Sequence, residues 1–199
     1  MSKVLVLNTG LNGEQSNSNK FTQKYLNARK EQGTIDQIKI RDLNALALPH
    51  LSANEMSAWM TPDNERSDNQ KALAAVSDEL ITELFDHDLI VIGMPMYNMG
   101  VPSTFKAYID RVSRAGKTFS YTEQGPKGLV TNTKVIVLAA RGGQYQGTPL
   151  DTQTGYIKGI FGLMGITDVE FVYAEGLNMG EDIANNAWQQ ADEQLKAIA

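Results

Sequence analysis

The sequence predicts an α/β protein built on one open parallel sheet of five strands with helices on both faces. Two observations carry this expectation. Leu89-Ile-Val-Ile92 and Val135-Ile-Val-Leu138 are continuous apolar runs with abrupt ends, the pattern of strands covered on both sides. Between such runs stand stretches whose apolar residues recur three and four positions apart, so strands alternate with helices and no repeat or low-complexity linker intervenes. A chain of 199 residues suits a single domain, 1–199.

Lys3-Val-Leu-Val-Leu7 reads as the first strand. It runs into a loop rich in Gly, Asn and Ser, from Asn8 to Asn19, ahead of a helix marked by Phe21, Tyr25 and Leu26. Ile35 to Leu43, where Ile38 and Ile40 alternate with polar residues, is the second strand, and Leu46 to Met60 reads as irregular. Ser67-Asp-Asn-Gln70 has capping-box spacing, and Leu73, Val76, Leu80, Ile81 and Leu84 continue it as an amphipathic helix through Phe85. The Leu89 strand ends at Pro95. Pro102 suits the first turn of the next helix, which carries Phe105, Tyr108, Ile109 and Val112 and closes near Gly116. An excursion containing Phe119, Tyr121 and Gly125-Pro126 precedes the Val135 strand, which leads into Arg141-Gly142-Gly143. Tyr156, Ile157, Ile160, Phe161 and Met164 form another helix face, ended by Gly165. Val169, Phe171 and Val172 make the last strand, and Ile183, Ala187, Trp188, Ala191, Leu195 and Ile198 line the final helix.

Composition narrows the chemistry. The chain has no cysteine, which removes disulfides, thiolate metal sites, iron–sulfur clusters and thiol nucleophiles, and His50 and His87 are too few for a three-histidine zinc centre. No metal is expected, and redox chemistry must come from an organic cofactor; both histidines read as structural. A net charge of −5 gives no basic footprint for nucleic acid or anionic lipid. No apolar run approaches the ~18 residues of a membrane span, and the apolar start before Asn8 is shorter than a signal-peptide core, so the expected compartment is the cytoplasm.

In doubly wound sheets, ligands sit beyond the carboxyl ends of the strands at the switch point of strand order. Three segments qualify: Asn8 to Asn19, Met94 to Gly100 and Ala139 to Gly147. The first lacks both a P-loop and the three-glycine dinucleotide fingerprint. It has two readings: a plain Ser or Asn helix cap, or a cradle in which hydroxyls and unpaired helix-start amides hold a terminal phosphate monoester. Glu14 speaks against the cradle unless it turns to solvent. In the second segment and its continuation to Ser103, Pro95, Asn98, Gly100 and Pro102 fix a turn whose amides can read the edge of a planar heterocycle; the alternative is a simple strand-to-helix turn filled by methionines. Gly142 and Gly143 offer two unhindered amides to an anionic ring edge, or form a tight turn.

Taken together, Pro95-Met-Tyr-Asn98, Gly100-Val-Pro-Ser-Thr104, Arg114-Ala-Gly-Lys-Thr-Phe119, Tyr121-Thr-Glu-Gln-Gly-Pro126, Gly128-Leu129, Arg141-Gly-Gly143 and Gly165-Ile-Thr-Asp168 resemble the FMN-dependent NADH azoreductases, also described as NADH:quinone oxidoreductases. The similarity spans essentially the whole chain, from the Met1-Ser-Lys-Val-Leu-Val-Leu7 start to the last helix. It implies a flavodoxin-like fold, FMN as cofactor, and a homodimer with two sites at the subunit interface. By the same resemblance Ser16, Asn17 and Ser18 hold the FMN phosphate; Met96, Tyr97, Asn98 and Met99 run along the isoalloxazine; and Ala140, Arg141, Gly142 and Gly143 border its pyrimidine edge. Tyr121 is placed near the substrate for stacking or proton relay. Gly10 stands where relatives often carry a phosphate-binding Ser, Met99 where Phe is common, and Leu163 where some relatives set a Phe over the substrate. Trp59 and Met60 are expected either to supply aromatic and apolar surface from the partner chain or to serve as packing.

The implied reaction is ping-pong: NADH gives hydride to the flavin N5 and leaves, and a quinone or azo compound then takes its place. Gly142 and Gly143 amides stabilise the negative charge that develops on the ring. A flavodoxin-like one-electron carrier is the alternative, but it calls for a strongly acidic face. A phosphoacceptor receiver fails, because Asn8 and Gly93-Met94 stand where its acidic residues belong.

Overall fold

The computed structural model describes residues 2–198, so Met1 of the opening motif lies outside them. Seven strands and seven helices are present among these residues. Strands β1 (Ser2–Asn8), β2 (Ile35–Asp42), β3 (Leu89–Pro95), β6 (Lys134–Ala140) and β7 (Val169–Ala174) form one parallel sheet in the order β2-β1-β3-β6-β7. β4 (Phe119–Thr122) and β5 (Gly125–Gly128) pair as a separate antiparallel hairpin, which is the form taken by the excursion.

Period-two alternation explains why the central strands are apolar throughout. Leu5, Leu7, Ile90, Ile92, Val135 and Val137 face one core with α4 (Asp68–Phe85), α5 (Ser103–Val112) and α6 (Thr152–Met164). Val4, Val6, Leu89, Val91, Ile136 and Leu138 face a second core against α1 (Asn17–Glu31) and α7 (Glu181–Ile198). Each strand residue therefore meets a helix whichever way it points.

Capping sets several boundaries. α4 starts with the expected capping box: Ser67 accepts from the Gln70 amide and Gln70 reaches back. Gly165 ends α6 in a left-handed conformation, φ 99°. The second strand stops one residue short of Leu43 because the Asp42 carboxylate accepts from the Asn44 and Ala45 amides and opens a short helix, α2 (Leu43–Leu46).

The segment read as irregular contains a helix, α3 (Ala53–Met60), begun by a second capping box between Ser52 and Glu55. The Arg111 guanidinium holds it to α5: Nε and Nη2 both donate to the buried Glu55 carboxylate at 3.0 Å. His87 is buried at the end of α4, its Nδ1 2.6 Å from the Glu83 carbonyl, a structural placement. Among the described residues no helix is long and apolar enough to cross a membrane.

Candidate flavin site

Strand order reverses between β1 and β3, where Asn8 pairs with Gly93, and one strand further Pro95 pairs with Ala140. The three candidate loops therefore leave adjacent strands at the carboxyl edge of the sheet. The Thr9 hydroxyl fixes the first by donating to the Gly93 carbonyl at 2.7 Å. Gly93 also lets α1 approach the sheet, since a Cβ there would lie 2.7 Å from the Ser18 carbonyl oxygen.

Asn17, Ser18 and Asn19, expected at the end of a loop, are the first turn of α1, so their amides have no intrahelical acceptor. Ser16 is the N-cap, yet its side chain makes no capping bond; its Oγ lies 3.1 Å from the buried Ser18 Oγ. The Asn19 side chain braces the loop from within, donating to the Gly13 carbonyl at 2.9 Å. Around Gly10 the space is already taken, because a Cβ there would come within 1.9 Å of Ser16 Oγ and 2.6 Å of Ser16 Cβ. Two hydroxyls and a positive helix end thus converge without a capping partner, a neutral cradle for an anion. Glu14 is exposed and Asn17 is open to solvent.

The second loop is a tight reversal. Tyr97 and Gly100 exchange backbone hydrogen bonds of 3.2 and 3.0 Å around Asn98 and Met99, at φ 48° and 62°. Asn tolerates this region, whereas Met pays about 1–2 kcal/mol for it, strain of a kind that clusters at functional sites. The Tyr97 hydroxyl accepts from the Leu11 amide at 3.2 Å, tying this turn to the first loop.

In the third loop the carbonyls of Arg141, Gly142 and Gly143 accept from Leu177, Asn178 and Gly176. The amides of Gly142 and Gly143 meet no protein acceptor among the described residues. A Cβ on Gly142 or Gly143 would lie 2.7 Å from Asn178 Nδ2 or the Tyr145 hydroxyl, so a larger residue at either position would push aside a side chain that lines the cleft. Met96, Asn98, Met99, Gly142, Gly143, Tyr145 and Asn178 line a cleft of 360 Å³. A 560 Å³ cleft lies across the turn, bounded by Leu11, Tyr97, Val101 and Ser103, and both sizes suit a small-molecule site.

Arg141 contributes differently from the expectation. Its side chain is fully buried, with Nη1 donating to Glu175 at 2.9 Å, Nη2 to Asp151 at 3.0 Å and Nε to Gln153 at 3.1 Å, while its amide donates to Ala174. The guanidinium also sits 5.0 Å over the Tyr173 ring. Arg141 therefore supports the loop from behind. Burial pushes the Asp151 carboxyl up, but hydrogen bonds from Thr154 and Arg141 outweigh it and hold the group below its usual range.

The structure thus gathers Gly10, Ser16, Asn17 and Ser18 at one end of the carboxyl edge, Met96 to Met99 in the middle, and Ala140, Gly142 and Gly143 at the other. It does not bring Tyr121 to them. That residue is 76% exposed on the hairpin, lines neither cleft, and packs edge-on against Phe119 at 5.5 Å. Trp59 and Met60 lie elsewhere too, along an apolar groove with Leu51, Met56, Ile109 and Ile160, where the Arg114 guanidinium covers Trp59 at 5.3 Å. Tyr145 lies within the Ala139 to Gly147 segment without having been singled out, and sequence reasoning missed Gln153 and Asn178, which approach the site from α6 and from the loop after β7.

This sheet order, with two hydroxyls and an uncapped helix start at its switch point, defines a doubly wound α/β protein whose carboxyl edge is shaped to take an anionic group. The chain belongs to the family described as flavodoxin-like fold, whose model matches residues 2–199. It is 54% identical over 198 residues to an FMN-dependent NADH:quinone oxidoreductase of Pseudoalteromonas atlantica, covering 100% of this chain and 98% of that protein. A protein of the same description from Alteromonas mediterranea is 49% identical over 195 residues, 98% of this chain and 97% of its own length. Among solved structures, an azoreductase from Bacillus anthracis superposes with a TM-score of 0.91 at 29% identity, covering 100% of this chain and 98% of that one. An FMN-dependent NADH-azoreductase from the same organism, in complex with FMN, gives 0.87 at 26% identity over 100% of both chains.

Proposed function

We propose that this chain is an FMN-dependent oxidoreductase that uses NADH to reduce quinones and to cleave aromatic azo compounds to amines, and that it works as a homodimer in the cytoplasm. The observation that carries the reading is the uncapped start of α1, where Ser16, Ser18 and three free amides form a cradle beside a cleft edged by two more free amides. The residues present fit FMN: neutral donors for its phosphate, the Met96–Met99 turn for its ring, and Gly142 and Gly143 for the polar edge. When bound, FMN would supply the hydride chemistry, one NADH equivalent for each quinone and two for each azo bond cleaved to amines, with the remaining protons taken from water.

The chain's own part is to orient and to polarise. The Ser16 and Ser18 hydroxyls and the α1 amides donate to phosphate oxygens. The Met96 and Met99 side chains and the backbone of the turn wall the ring, and preorganised Gly142 and Gly143 amides donate where negative charge grows. No side-chain acid or base is required. The homodimer is supported by the exposure of Tyr121 and by the uncovered apolar groove along Leu51, Met56 and Trp59. In that arrangement the partner subunit's Tyr121 covers the acceptor.

Anaerobic stopped-flow tests the reading. NADH and NADPH are each mixed with FMN-loaded protein, and the reduced protein is then mixed with a quinone panel and an azo dye. Bleaching of the flavin by NADH and rapid return of colour with both acceptors is the expected result. Protein that NADH does not reduce would be left as a one-electron carrier.

A further inference from the structure

We propose that Gln153, at the start of α6, is a positioning residue for the flavin site: it clamps the left-handed Asn98–Met99 turn and couples that turn to the Gly142–Gly143 loop. Gln153 is 0% exposed, and all its side-chain polar atoms are used. Its Nε2 donates to the Pro95 carbonyl at 2.8 Å and to the Gly100 carbonyl at 2.9 Å, the two ends of the segment that holds the turn. Its Oε1 accepts from Arg141 Nε at 3.1 Å. One amide group thus spans two of the three loops.

Neighbouring bonds reinforce this assignment. The Thr152 hydroxyl donates to the Met99 carbonyl, so consecutive residues of α6 hold the middle and both ends of the strained turn. On the other side Asp151 and Glu175 fix Arg141, and Glu175 also accepts from the Tyr145 and Gln146 amides. The distance from the turn to the Gly142 and Gly143 amides is therefore set by one chain of bonds running Glu175, Arg141, Gln153, Pro95, buried at Arg141 and Gln153 and part-buried at Glu175. Left-handed Met99 does not hold itself in place, and a glutamine with both donors committed keeps the turn from relaxing. For the flavin this means a cleft of fixed width before the ring arrives. That consequence rests on the function proposed above; the clamp itself does not.

The test uses Gln153→Glu, which keeps shape and the Arg141 bond but faces both carbonyls with oxygen. In FMN-free protein, amide hydrogen exchange at Tyr97 and Gly100, whose amides close the turn, is expected to quicken about tenfold with the rest of the sheet unchanged. In loaded protein, FMN affinity measured by fluorescence quenching is expected to fall about tenfold, with a shift of the flavin midpoint potential. In a Met99→Gly background, where the turn is unstrained, both effects should shrink. Gln153→Met gives the same readings if the carboxylate does not fold. Unchanged exchange at Tyr97 and Gly100, or an equal effect in the Met99→Gly background, would overturn the proposal. Wild-type protein that takes up no FMN would instead overturn the function, while the exchange measurement would still decide the clamp.

Discussion

The two ends of the carboxyl-edge site follow opposite physical rules. At the α1 end the donors are neutral and left without partners: Ser16 declines to cap its own helix although Ser52 and Ser67, in the same position on α3 and α4, both close full capping boxes. At the α6 end almost everything is satisfied, with a buried guanidinium held by two carboxylates and a glutamine. A cradle must keep donors available for an incoming anion. A wall must hold its shape whether or not the ligand is present. The contrast teaches that a missing internal bond marks where a ligand docks, and a surplus of them marks what keeps the dock rigid.

Four measurements would break or sharpen this contrast. Arg141→Ala should have the largest effect, because Asp151 and Glu175 lose their counter-charge; about 3–5 kcal/mol of folding stability should disappear in chemical denaturation. A loss under about 1 kcal/mol would show that the wall is not built on this charge. At the other end, Ser16→Ala combined with Ser18→Ala should leave the denaturation midpoint of the FMN-free protein nearly unchanged and weaken FMN about a hundredfold by equilibrium titration. Undiminished affinity would move the phosphate elsewhere. Gly10→Ser adds a hydroxyl where relatives often have one, yet it should weaken FMN about tenfold, because the new Cβ drives into Ser16. Tighter binding would mean the α1 start yields easily.

The smallest effect concerns acid. Despite its burial, hydrogen bonds from Thr154 and Arg141 hold the Asp151 carboxyl below the usual aspartate range, so its contribution is fully present above that range and is lost as pH falls through the lower folded pKa. Asp151→Asn should therefore narrow the stability difference from wild type as pH falls below the ordinary aspartate range. A difference that stays constant from neutral to acid pH would remove Asp151 from the acid limb.

Much of this was legible in the chain. Apolar runs such as Leu89–Ile92 announced strands with two covered faces, and the Ser67–Gln70 spacing announced α4. α3 carries the same capping signal at Ser52 and Glu55, but it shows no apolar stripe: only Glu55 and Ala58 are buried, and a charge pair with Arg111 supplies the anchor. Periodicity does not register an ion pair 56 residues apart in sequence. The site loops were visible from Gly, Asn and Ser placed after strands. The left-handed Met99 was not, since methionine's own preference runs against that conformation. Nor was Gln153, whose role exists only once β3, β6 and α6 are side by side.

The hairpin β4–β5 has a kinetic consequence. Its base is tied to the amino edge of the sheet, where a Cβ on Gly128 would lie 2.1 Å from the Gly165 nitrogen, whereas the three loops open from the carboxyl edge. A tyrosine carried there lines neither of the two clefts at that edge of its own chain. On the homodimer proposed above, specific activity would drop on dilution and return on concentration, following mass action.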